Sequence, residues 1–184
     1  MPNAVARHQA PTPPGRWRYV LCGGLLAGTL DLLYICSFWA LRGVGPVRIF
    51  QSVAAGWVGR DAAIAGGART AALGLASHYL IAVCMAAAFF LVARRWRTLV
   101  REPLRYGALY GIVLYVTMNY VVVPLSAAST GAFPTLRWTD LLHLAAHMFL
   151  VGVPCAWFAR LVARQNGAGR LLPAVSDKTG FGAP

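Results

Sequence analysis

The stretch "YVLCGGLLAGTLDLLYICSFWAL", Tyr19–Leu41, decides the fold. Its only charged residue is Asp31, and about 20 apolar residues suffice for a helix to cross a hydrocarbon core of about 30 Å. The run is too long for a cleaved signal, and "SFWALRG" lacks small residues at both cleavage positions, so it is expected to stay as an anchor. Working outward, three further stretches pass the same length test: Thr70–Val92, Leu104–Leu125 and Trp138–Val162. None alternates with a period of two, which disfavours a barrel. Backbone groups in lipid must be satisfied within the segment, which makes each span a helix. The expected fold is all-α, an integral membrane protein built as an antiparallel four-helix transmembrane bundle.

Composition agrees. Of 184 residues, 58% are hydrophobic and only 12% charged, against roughly a quarter charged in soluble domains. Mean hydropathy is +0.58. The length suits one domain, placed at residues 19–164. The Pro- and Gly-rich polar ends, residues 1–18 and 165–184, read as disordered cytoplasmic tails, and His8 falls in the first of them. The four cysteines lie within spans without C-x-x-C pairing, which argues against disulfides.

Arginine placement sets the orientation. With both termini cytoplasmic, twelve Lys and Arg residues fall inside and five outside, the latter being Arg42, Arg48, Arg60, Arg69 and Arg137. This predicts a four-span membrane protein with its N- and C-termini in the cytoplasm. The net charge of +12 then reports topology and contact with lipid headgroups. These arginines flank spans and form no separate basic module, so no nucleic-acid partner is expected.

The connection "GVGPVRIFQSVAAGWVGRDAAIAGGAR", Gly43–Arg69, is too long for a bare linker and too apolar for a solvated one. Pro46 suits a first helical position. A short amphipathic or re-entrant helix is predicted over about 46–58, with Ile49, Phe50, Val53 and Trp57 on its apolar face and Arg48, Gln51 and Ser52 on its polar side. The glycines match neither a phosphate loop nor a dinucleotide fingerprint.

Polar residues inside the spans are the candidate functional groups. Asp31 lies near the expected midplane, and His78, Asn119, Asp140, His143 and His147 lie in the outer halves. Arg48, Gln51 and Arg60 hang above them. Asp140, His143 and His147, at i, i+3 and i+7, share one helical face. A charge at the centre of a lone helix costs about 2.5–3.5 kcal/mol, so these groups should turn inward into one polar pocket, Asp31 pairing with Arg48, Arg60 or a histidine. Gly24 and Gly28 on span one, and Gly107 and Gly111 on span three, mark close helix approach. That spacing suggests a crossing of spans one and three. Pro154 should kink span four below its histidines. More plainly, Asp140 would support a helix start capped by Thr139, and the histidines and Asn119 would tie helices together.

"GLLAGTLDLLY", "PVRIFQSVAAGWVGRDA", "LYGIVLYVTMNYVVVPLSA" and "HLAAHMFLVGVPCAWFAR" together resemble a group of small, uncharacterised bacterial four-span inner-membrane proteins. More distantly, residues 19–163 are similar to the YagU-like family. The resemblance implies a multi-pass inner-membrane location and no established activity.

The expected function is binding of a small ligand or partner in the outer pocket without catalysis, beside contact with the lipid bilayer. One alternative is proton-linked transport through Asp31 and the histidines, for which a four-span chain would need to form a homo-oligomer. Another is a metal or haem site with His78, His143 and His147 as candidate ligands. No cofactor is otherwise predicted, and the common hydrolase signatures are missing from the sequence.

Overall fold

A computed structural model describes residues 15–131 and 137–168. These residues form helices and turns without a strand. Four helices are long and apolar enough to cross a membrane: α1 (Arg16–Ala40), α4 (Gly67–Arg95), α5 (Pro103–Leu125) and α6 (Trp138–Gln165). The shortest, at 23 residues, extends about 35 Å at 1.5 Å per residue, enough for a hydrocarbon core of about 30 Å. Between α1 and α4 lie two short helices, α2 (Pro46–Val58) and α3 (Arg60–Ala65).

The helix ends depart from the sequence boundaries for identifiable reasons. Residues 16–18, expected in a tail, form the first turn of α1, where the Trp17 ring meets Phe90 edge-on at 5.8 Å. The backbone of α6 stays helical to Ala168, and the Gln165 amide donates to the Tyr19 hydroxyl. The remainder of both expected tails lies outside the described residues. Thr139, expected as an N-cap, sits inside the first turn of α6, whose N-cap is Arg137.

The helix expected at 46–58 is α2, with Pro46 at its start. Gly59 ends it with φ +83, a conformation that favours glycine, and α3 follows at once. That second helix was missed in the sequence because six residues give too few turns for a period. The Thr70 hydroxyl donates to the Ala63 carbonyl and ties α3 to α4.

Which helices meet is decided by glycine. A Cβ on Gly24 would lie 2.6 Å from Val83 Cα, and one on Gly28 would lie 3.1 Å from the Ala82 Cβ, so this stripe seats α1 against α4. A Cβ on Gly107 would lie 2.7 Å from Val153 Cα, and one on Gly111 would enter the backbone of His147 and Met148. That stripe seats α5 against α6. The expected crossing of spans one and three is therefore corrected: the two stripes serve different pairs. Small residues state that a backbone comes close but not whose.

Below these crossings the core is dry and apolar, with Phe89, Phe90, Leu114, Cys155, Ala156 and Val162 buried together. Large apolar side chains also cover the outer faces of the long helices, among them Leu33, Leu80, Val113, Leu141 and Phe149. Such surfaces are compatible with lipid contact.

Both α5 and α6 contain a widened turn of π geometry, at Met118–Val122 and His147–Gly152. Each ends two residues before a proline, Pro124 or Pro154. A proline nitrogen cannot donate to the carbonyl four residues earlier, and its ring crowds that carbonyl. Widening the preceding turn relieves both problems. The bend expected from Pro154 thus takes the form of a π turn that begins at His147.

Candidate functional site

The candidate residues do not gather in one hollow. Two separate groupings emerge, plus a few residues bonded locally.

The first grouping is a seam between α1 and α6. The Tyr34 hydroxyl and His143 Nδ1 share a hydrogen bond of 3.0 Å. The Phe38 ring stands edge-on to the His143 imidazole at 4.6 Å, and the Arg42 guanidinium covers Phe38 at 3.9 Å from its centroid. His147 donates from Nδ1 to the His143 carbonyl at 3.0 Å, while its ring meets Tyr115 edge-on. Asp31, one turn before Tyr34, is half-buried and within electrostatic reach of Tyr34 and His143. The expected ion pair of Asp31 with Arg48, Arg60 or a histidine does not form: among the described residues the ion pair is Arg105 with Glu102, on the surface. Asp140 accepts a hydrogen bond from the Arg137 amide at 2.6 Å and so satisfies a donor at the start of α6.

Two other candidates are held elsewhere. His78 donates from Nε2 to the Gly28 carbonyl at 2.9 Å, across the α1–α4 crossing. Asn119, in the π turn of α5, donates to the Tyr115 carbonyl of its own helix at 2.9 Å. His78, His143 and His147 therefore lie on different contacts. Among the described residues no three His, Cys, Asp or Glu side chains are placed to hold a metal ion. The expectation that these three histidines form a ligand set is corrected on that geometry.

The second grouping is a cavity of about 790 Å³ under α2, between the start of α3, the middle of α4 and the end of α5. Its polar side chains come chiefly from one wall: Arg48, Gln51 and Ser52 on α2, and Arg60 at the start of α3, with Ser126 joining from the end of α5. The facing wall is apolar, with Ile81 of α4 and Met118, Val122, Val123 and Leu125 of α5. The π turn of α5 supplies Met118 and Val122, so the widened backbone shapes this wall directly.

Local bonding explains how the polar wall is held. Gln51, expected on the polar side of this helix, is only 5% exposed, and its amide donates to the Gly67 carbonyl at 3.1 Å. Trp57, expected on the apolar face, is 65% exposed and donates to the Ser77 hydroxyl at 3.0 Å. Where α2 meets α4, Ala54 and Ala55 are buried, and a Cβ on Gly74 would collide with the Phe50 carbonyl. Ile49 and Gln51 are buried on α2 as well, so its packed side mixes small and large residues, while Val53 and Trp57 line the cavity. Arg60 donates from Nε to the Ala128 carbonyl at 3.2 Å, which leaves its terminal nitrogens available. Arg48 is exposed and makes no hydrogen bond through its side chain to another described residue.

Sequence reasoning missed Tyr34, Ser77, Ile81 and Val122. Tyr34 was within reach, since it lies three residues from Asp31 on the same face. The others carry no polar pattern of their own. No protein-family model, curated protein or solved structure matches this chain, so the likeness to the YagU-like family rests on its quoted motifs alone.

Proposed function

We propose that the chain is a multi-pass inner-membrane protein, an antiparallel four-helix transmembrane bundle with cytoplasmic termini, whose outward cavity binds a small molecule without catalysis. The arginine distribution supports the orientation, and the exposed apolar faces of the four long helices support the bilayer setting. The observation that carries the binding function is the 790 Å³ cavity, within the roughly 300–1,000 Å³ of small-molecule sites and with one polar wall facing one apolar wall. Its chemistry favours holding over reacting. Ser52 and Ser126 already donate their hydroxyl protons to the carbonyls of Ile49 and Val123, and among the described residues no His, Cys, Asp or Glu lines the cavity to activate them.

The test is native mass spectrometry of the full chain released from mild detergent. A non-protein adduct is expected in the parent protein and in clearly lower proportion in Ser52→Trp, whose indole narrows the cavity from an exposed position. An adduct retained in the parent proportion by Ser52→Trp would contradict the assignment. Orientation has its own test in a cysteine-free background, where Ser52→Cys should react with an impermeant maleimide from outside, and Arg97→Cys only after permeabilisation. The reverse pattern would invert the topology.

A second function, proton-linked relay, is favoured by one observation: among the described residues Asp31 has no ionic partner beside the Tyr34–His143 hydrogen bond. In proteoliposomes, Asp31→Asn should abolish any proton flux the protein carries, and flux at the parent rate would remove Asp31 from that role.

A further inference from the structure

We infer that the occupant of the α2–α5 cavity is a single-chain anionic amphiphile, its carboxylate or phosphate held by one of the two lining arginines, Arg48 or Arg60, and its alkyl chain laid along Ile81, Met118 and Val122. This rests on the cavity being a ligand site and adds the class of ligand. Charge is the first ground. Among the described residues two arginines line the cavity and no carboxylate does, so an anion entering it meets attraction from both. Neither guanidinium is consumed by the fold, because Arg48 bonds no described residue through its side chain and Arg60 commits only Nε. Arg48 stands in the first turn of α2 and Arg60 just beyond its end, so the two bracket the polar wall. Gln51 is already bonded to Gly67, which leaves the arginines as the recognition groups.

The division of walls is the second ground. A ligand polar throughout would leave the Met118–Leu125 wall unsatisfied, and one apolar throughout would strip water from the guanidinium groups without replacing it. A molecule with an anionic head and an apolar body satisfies both walls at once. Size is the third ground. At about the 30 Å³ that a liquid water molecule occupies per methylene, one eighteen-carbon chain needs on the order of 500 Å³ and two need on the order of 1,000 Å³. The cavity of about 790 Å³, open along one side, has room for one chain with its headgroup, and a second chain would have to lie outside it.

Trp57 gives a reporter, since its indole lines the same cavity. The full chain, in nanodiscs of phosphatidylcholine, is titrated with octadecanoate dibrominated at mid-chain, and the Trp57 signal is taken as the difference from Trp57→Phe. Parallel titrations use the methyl ester, the lysophosphatidate with the same chain, and phosphatidylglycerol carrying two such chains. The acid or the lysophosphatidate should quench Trp57 at a concentration about tenfold below that needed by the ester, as expected for charge-assisted hydrogen bonds. Whichever of the two is tighter identifies the headgroup. In Arg48→Gln with Arg60→Gln, acid and ester should quench alike. Both arginines are exposed and neither forms an ion pair among the described residues, so this variant should fold.

Equal quenching by acid and ester in the parent protein would overturn the anionic class, and stronger quenching by the two-chain lipid would overturn the single chain. Absence of Trp57 quenching by all four, with the Ser52→Trp-sensitive adduct still present, would overturn the amphiphile while leaving the cavity a ligand site. Loss of both signals would overturn the ligand site itself.

Discussion

The α1–α6 seam and the cavity under α2 both gather polar side chains, yet they use them in opposite ways. In the seam the imidazoles are committed inward. His143 is bonded to Tyr34 and flanked by Phe38, and His147 is bonded to the His143 carbonyl. In the cavity the arginines keep unbonded donors toward open space. A polar group bonded within the protein stabilises a helix contact, whereas one that keeps free donors beside a hollow can recognise something else. Titratable residues therefore mark a binding site only when their bonding capacity is left over.

The most severe way to break the comparison is to remove the frame both regions share. Gly111→Leu pushes a side chain into the α6 backbone at His147, and overpacking of this kind costs about 3 kcal/mol. A large fall in melting temperature and in folded yield is expected, and a parent-like melting curve would show that α5 does not seat on α6 there. Next in size is the ligand effect at the cavity. Arg48→Gln with Arg60→Gln should weaken binding of the brominated octadecanoate about tenfold, with stability changed by less than about 0.5 kcal/mol as for exposed sites in general.

A smaller effect comes from the strut behind the cavity. Gln51→Leu leaves the Gly67 carbonyl without its side-chain donor and should cost about 1 kcal/mol in a denaturation titration. The smallest belongs to the seam. Tyr34→Phe removes one hydrogen bond to His143 and should cost about 0.6 kcal/mol, the average for such bonds between membrane helices, with Trp57 quenching unchanged. A change in quenching from Tyr34→Phe would join the two regions into one site.

Much of the frame was legible in the sequence. Long apolar runs mark the four long helices, and Pro46 and Gly59 bracket α2 because each fixes backbone geometry locally. Partners were not legible. The Gly24–Gly28 and Gly107–Gly111 stripes announce close approach, but only the fold assigns the first to Val83 and Ala82 and the second to Met148 and Val153. The inward turn of Gln51 was hidden for a related reason: hydropathy put it among polar neighbours, while the packed side of α2 buries it together with Ile49, Ala54 and Ala55. The π turns escaped because a proline predicts a disturbed turn but not how the backbone absorbs it. The candidate site was half visible. Arg48 and Arg60 were named, but the apolar wall opposite them includes Ile81 and Val122, which no sequence pattern separates from side chains that face lipid.

One side-by-side titration tests the division most directly. Trp57 quenching by the dibrominated octadecanoate is measured in the parent protein, in Arg48→Gln with Arg60→Gln, and in Tyr34→Phe with His143→Leu. If the cavity binds and the seam only holds helices together, the arginine pair shifts the titration about tenfold and the seam pair leaves it in place. A shift from the seam pair with none from the arginine pair would contradict that assignment.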